Sequence, residues 1–324
     1  MKKINRSCCL SIAASCCFAL IFAAGLHGAS KAKVMLLDGE SGGAYHAWQE
    51  TTPYLKKMLE ETGLFEVDVV TAPPAGADFS TFQPDWKAYQ AVVSNYDVPD
   101  ERWSDALKDS FEKYIREGGG LVAVHAADNA FPKWREYNLM IGVGGWRGRN
   151  EKSGPTFYWT DGKVAADNSP GPAGSHGARK PFKIVTRTAN HPIMKGLTPA
   201  WMHVADELYS KMRGPGENMT VLATAWDDPS NKGTGRDVPI LMALSYGKGR
   251  IFHTVLGHDL AALNCVGFIV TYQRGTEWAA TGKVNQKVPA DFPTAESTST
   301  RSKYNPPAGW TSPTGRPRPA APKP

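Results

Sequence analysis

The chain has 324 residues, a formal net charge of +6 and five cysteines. The charge sits at the ends: the first thirty residues carry Lys2, Lys3 and Arg6 and no acid, and the stretch from Lys283 onward holds seven basic and two acidic residues, which leaves the body between them at −2. A body so close to neutral excludes the strongly basic surface that nucleic acid requires, and with Cys8, Cys9, Cys16 and Cys17 all in the leader, Cys265 has no partner for an internal disulfide.

Residues 1–30 have a basic start, an apolar run from Cys8 to about Leu26 and small residues at Gly28-Ala29-Ser30. That is the layout of a cleaved secretory signal peptide. The run is near the lower limit for a span and no stop-transfer pattern follows. The mature protein is therefore expected to be exported, periplasmic or secreted, with no stable membrane span. Residues 31–282 are expected to form a single α/β domain. Residues 283–324, rich in Pro, Ser, Thr and Ala, have little apolar content to pack and are expected to be disordered.

Within the body, apolar runs alternate with helical spacing. Val34–Leu37 predicts a strand, followed by a glycine-rich turn over 39–43 and a helix over 47–61. Phe65–Val70 and Ala88–Val93 predict two more strands. The spacing of Trp103, Leu107, Phe111, Tyr114 and Ile115 predicts a helix over 100–117, stopped by Gly118. Leu121–Val124 is a fourth strand. Residues 150–180, poor in apolar runs, predict a long loop. Later strands are expected at 182–185, 219–223, 239–244 and 250–256, with a final helix over 260–280. Continuous apolar strands separated by helices imply a mostly parallel sheet with helices on both faces.

In such a sheet, ligands gather at the carboxyl ends of the strands. His125 ends the fourth strand, and Asp128 three residues later is placed to orient it or to bind substrate. His46, in Gly-Gly-Ala-Tyr45-His46, follows the first strand and its glycine turn. His258 and Asp259 end the last strand. Histidine is both the usual acid–base group near neutral pH and a common metal ligand, so His46, His125 and His258 are also the candidates for a divalent metal ion of unknown identity. Asp206-Glu207 is an acidic pair ahead of Tyr209. His253, within a strand, and His191, held extended by Pro192, read as structural; for His203 and His176 the sequence gives no reason to prefer function. Elbow motifs of the Gly-x-Cys-x-Gly type, phosphate loops and His-Glu-x-x-His are all absent from the sequence.

Four segments in order carry a wider resemblance: Gly118-Gly-Gly-Leu-Val-Ala-Val-His125-Ala-Ala, His191-Pro-Ile-Met-Lys-Gly-Leu, Asp206-Glu207-Leu-Tyr, and Gly247-Lys-Gly-Arg-Ile-Phe-His-Thr-Val-Leu-Gly-His258-Asp259. From about Lys33 to Ala280 the chain resembles the ThuA-like (trehalose utilisation) domain. The resemblance implies a flavodoxin-like fold of the class I glutamine amidotransferase type, with His46, His125, Asp206-Glu207 and His258-Asp259 at motif positions. In amidotransferases the elbow carries a cysteine; here His125 or its neighbours occupy it, and without a thiol or hydroxyl nucleophile glutamine hydrolysis through a thioester is excluded. Where family members often carry an aromatic residue and then a histidine, this chain runs into Trp146-Arg147-Gly-Arg149, so an arginine-rich loop replaces a histidine contact.

The resemblance also implies a carbohydrate partner, trehalose or another disaccharide or its 3-keto derivative. Trp146, Trp159, Trp134 and Tyr158 are aromatic faces for a sugar ring. The expected chemistry is acid–base catalysis on a glycoside or keto-glycoside by His125 and His258 with Glu207 and Asp259, assisted by a metal ion where one is bound, with His46, Tyr45, Asp128, Trp146 and Arg147 contacting substrate. The alternative is a non-catalytic sugar-binding module on the same scaffold.

Overall fold

The structure, a computed structural model, describes residue 1 and residues 30–42 and 45–301. The expected leader lies outside the described residues, apart from its two ends. Among the described residues, no helix is long and apolar enough to cross a membrane.

The elements in chain order are β1 (Ala32–Asp38), α1 (Trp48–Glu60), β2 (Phe65–Thr71), β3 (Ala91–Ser94), α2 (Asp105–Glu117), β4 (Gly120–Val124), α3 (Arg135–Ile141), β5 (Thr156–Thr160), β6 (Lys163–Asp167), β7 (Lys180–Thr186), β8 (Ala200–Asp206), β9 (Met219–Asp227), β10 (Arg236–Tyr246), β11 (Gly249–Thr254), α4 (Leu260–Leu263) and α5 (Val266–Thr281). They build one sheet in the order β2-β1-β3-β4-β11-β10-β9-β7-β8, with the β5–β6 hairpin attached to β10.

β2, β1, β3, β4 and β11 are mutually parallel. The apolar runs of β1, β3, β4 and β11 are buried on both faces, as a parallel sheet demands, while β2 at the edge alternates buried and exposed residues over Phe65–Asp68. From β10 onward the pairing is antiparallel, so the sheet is parallel in its first half and mixed as a whole. The path from β1 to β2 runs one way along the sheet and the path from β3 to β4 the other. Right-handed crossovers then put α1 and α2 on opposite faces and leave a switch point between β1 and β3, the standard position of a ligand cleft.

Local chemistry fixes the element ends. Ser104 caps α2 by accepting from the Leu107 amide at 3.3 Å, and Gly118 ends it at φ 124°. The expected helix over 100–117 is therefore two pieces, a single 3-10 turn at Asp100–Arg102 and α2. The last helix is likewise broken at Asn264–Cys265 into α4 and α5.

Two expectations are corrected. The stretch 150–180 is not all loop: Thr156–Thr160 and Lys163–Asp167 pair as an antiparallel hairpin. Flanking glycine and proline hide five residues whose strand character comes from this cross-strand pairing. Residues 283–301, expected to be disordered, pack on the body. Glu277 accepts from the amides and side chains of Asn285 and Gln286 at 2.8–3.3 Å. Thr294 O accepts from Met202 N, Ser299 O accepts from Val266 N, and Phe292 packs against buried Trp201. Composition misses this order because it comes from hydrogen bonds to the body, not from a core of the segment's own. Residues 302–324 lie outside the described residues.

Candidate functional site

Five strand ends deliver the site. The loop after β1 brings Glu40, Gly42, Tyr45 and His46; the end of β3 brings Asp97; β4 ends on His125; β8 ends on Asp206 and leads into Glu207; and the turn after β11 brings His258. All of these except His125 and Asp206, which are buried, line an open cleft of about 780 Å³ together with Trp146, Arg147, Asn129, His176 and Tyr209.

His125 sits at the strand-to-turn elbow with φ 45°. A residue with a β-carbon is uncommon in the left-handed region, histidine being, with asparagine and aspartate, among those found there most, and such conformations concentrate at working sites. Gly42 has φ 69°, and a β-carbon there would fall 2.6 Å from Asp97 Oδ2, so only glycine allows the first loop to close over Asp97.

At the floor, one atom from each of His46, His125, His258 and Glu207 lies within 4.8 Å of the others. The tautomers of two rings are fixed from behind. His125 Nδ1–H donates to Val255 O at 2.7 Å, and His46 Nδ1–H donates to Ser41 O at 3.2 Å. Carbonyls only accept, so in each neutral ring Nε2 keeps its lone pair and faces the centre. This backing of an imidazole by a carbonyl is the arrangement that orients metal-ligating histidines. His258 Nδ1 lies 3.1 Å from Glu207 Oε2 and 3.3 Å from His125 Nε2.

The environment splits these histidines. Burial, then the neighbouring imidazoles, push His46 down to about 3. Burial, then His258, push His125 down to about 4. For His258 burial acts the same way, but the Glu207 hydrogen bond and charge outweigh it and its pKa rises. Glu207 is held low by the same pair against its own burial. Without a metal ion, the His258 proton therefore occupies the region that a cation would share.

Asp206 holds the frame. Its Oδ1 accepts from the amides of Glu207 (2.8 Å) and His258 (3.2 Å), and its Oδ2 accepts from Gly257 N (2.8 Å) and His203 Nε2 (2.9 Å). Burial opposes its ionisation, yet His203, then His125 and the Gly257 amide, hold its pKa at about 2. One buried carboxylate thus ties the end of β8 to the turn that carries His258.

Tyr209 walls the floor. Its ring lies 4.2 Å from that of His125 and 4.5 Å from that of Trp146, and its hydroxyl is 3.1 Å from His46 Nε2. Trp146 and Arg147, both at positive φ, form the rim. Arg147 Nε donates to buried Asp97 Oδ1 at 2.7 Å. Tyr45 is 71% exposed at the cleft mouth.

Of the residues expected from the sequence, the structure brings together His46, His125, His258, Glu207, Tyr45, Trp146 and Arg147. Two are elsewhere. Asp259 points away from the cluster, capping α4 at Ala262 N and pairing with Arg179. Asp128 is fully buried behind the site, with its Oδ2 facing His253 Nε2 at 3.3 Å; the Val255 carbonyl, not Asp128, orients His125. Trp134 lies in the core against Trp103, Phe131 and Tyr137, while Tyr158 and Trp159 line a different groove. Sequence reasoning missed Asp97, Tyr209 and His176. Asp97 stands just past β3, where the strand-end rule already pointed. His176, whose Nε2 is 3.7 Å from Glu207 Oε2, comes from a loop with no signal of its own.

Residues 33–279 match the family described as ThuA, trehalose utilisation. A thua-like protein from Parabacteroides merdae, known from its crystal structure, is 46% identical, with a TM-score of 0.80 over 84% of this chain and 98% of its own. A second, from Bacteroides uniformis, shares the fold at 19% identity and a TM-score of 0.53 over 82% of this chain and 97% of its own. Comparison with curated proteins finds no match. The chain belongs to the ThuA (trehalose utilisation) family, a family of carbohydrate utilisation.

Proposed function

We propose that this is an exported enzyme performing metal-assisted acid–base chemistry on a disaccharide or its 3-keto derivative. The observation that carries the proposal is the convergence of one ligand atom from each of His46, His125, His258 and Glu207, two of the rings having tautomers already set for ligation. Three imidazoles and one carboxylate suit a borderline divalent ion such as zinc, manganese or iron. Bound there, such an ion would polarise a carbonyl or glycosidic oxygen of the sugar.

The chain's own residues supply the rest. Trp146 offers an indole face to the ring, and Arg147, fixed by Asp97, offers donors at the rim. Tyr209 Oη and His176 Nε2 lie beside the cluster as proton carriers. In a 3-keto sugar the proton next to the carbonyl is acidified, so one placed base starts an elimination without a covalent nucleophile. At the elbow position stands His125 in place of a thiol or hydroxyl, and Cys265 is fully buried.

A second reading is favoured by the separation of the histidine pKa values. With His125 low and His258 raised, the pair is already a base and an acid side by side, the pattern of metal-free acid–base catalysis. Export is supported by the basic start and apolar run of residues 1–26.

The test is turnover of a 3-keto-glycoside by the mature chain with and without EDTA. Turnover that chelation abolishes and a divalent ion restores is the expected result. Turnover indifferent to chelation selects the metal-free reading, and no turnover under either condition contradicts both.

A further inference from the structure

A row of side chains crosses the sheet at its hairpin extension. Trp226 on β9 stands opposite Asp237 on β10, Asp237 opposite Trp159 on β5, and Trp159 opposite Val164 on β6. Directly opposite residues project from the same face. The row therefore reads indole, carboxylate, indole, isopropyl across four strands.

Arg187 closes it. Its Nη2 lies 3.1 Å from Asp237 Oδ2, its guanidinium sits 5.4 Å from the Trp159 ring centre, and its Nε donates to Thr224 Oγ1. The groove they line measures about 400 Å³. Trp226 is 53% exposed and Val164 36%; together with Met1, Tyr45 and Val69 they make up the exposed large hydrophobic residues among the described ones. Two of those five share one row, and none of the groove residues belongs to the cleft of the histidines.

We infer that this row is a second saccharide-binding surface, taking one pyranose unit of a neutral oligosaccharide. A pyranose has an apolar C–H face and a rim of hydroxyls. An exposed indole matches the face, and Asp237 and Arg187, already oriented by each other, match the hydroxyls as acceptor and donor. Asp237 at the centre of the row argues against a protein partner, because aspartate is depleted in the cores of protein interfaces. The inference is independent of the chemistry in the cleft.

The test is saturation-transfer NMR of the intact chain with maltotriose and with trehalose. It uses the Trp146→Ala background, so that the cleft's indole does not contribute. The expected result is transfer to sugar ring protons that falls at least about tenfold in affinity on adding Trp226→Ala and is kept by Trp226→Phe. Turnover at the cleft is expected to be unchanged by Trp226→Ala alone. Absence of transfer from the background protein, or transfer that survives Trp226→Ala, overturns the inference. So does self-association in light scattering that Trp226→Ala abolishes, which would assign the row to a second copy. A failed turnover assay with Trp226-dependent binding would leave this surface standing and remove only the proposed chemistry.

Discussion

Replacing His125 by alanine is expected to abolish turnover while leaving the fold standing. His125 contributes Nε2 to the cluster and makes one hydrogen bond outward, to Val255 O. Loss of a central acid–base or ligating group lowers kcat by at least about 10²–10⁴-fold. The effect on stability is smaller. The Val255 carbonyl loses its donor, costing about 1 kcal/mol, while alanine keeps the β-carbon at φ 45° and so relieves none of that backbone's cost. His125→Asn, which tolerates that backbone conformation, should fold at least as well and be equally inactive. Circular dichroism and denaturant titration beside the turnover assay separate the cases. A variant that unfolds, or one that turns over normally, contradicts the assignment.

Asp206→Ala is expected to act in the opposite order, on stability first. The carboxylate is fully buried, serves four donors and neutralises His203. Removing one partner of a buried ion pair costs about 3–5 kcal/mol, enough to erase much of the stability of an ordinary domain. Asp206→Asn keeps one acceptor and should lose less. The pH dependence has a definite sign. The pKa of Asp206 is depressed from 3.8 to about 2, so its contribution is complete above the unfolded value and is lost as pH falls through about 2. Denaturant midpoints across that acid range should fall in the native chain, and this component of the fall should be missing in Asp206→Ala. A variant as stable as the native chain at neutral pH would contradict the role given to this carboxylate.

The parallel half of the sheet is legible in the sequence because β1, β3, β4 and β11 are buried on both faces and so appear as continuous apolar runs, while the edge strand β2 shows as an alternation of apolar and acidic residues. β5 and β6 are not, since the run in β5 is only Phe-Tyr-Trp, that in β6 only Val-Ala-Ala, and both are held by cross-strand pairing and by Asp237 of β10. The same division holds at the site. His46, His125 and His258 follow β1, β4 and β11, and the rule that ligands gather at strand ends finds them. Asp259, next to His258, shows the limit of that rule: one residue further along, the chain has begun α4, and the side chain turns back to cap it. Asp128 lies one turn beyond His125, and that 3-10 turn carries it under the site. Tyr209 and His176 come from segments whose path depends on the antiparallel half, which local pattern does not encode.

The most direct measurement is the metal content of the protein, purified without a histidine tag or chelator, beside four variants in which His46, His125, His258 and Glu207 are each replaced by alanine. The account predicts close to one equivalent of a divalent ion in the native chain and its loss in every variant. An ion that persists in the variants, or a native chain that takes up none from an excess of zinc or manganese, would contradict the claim that these four side chains form a single metal centre.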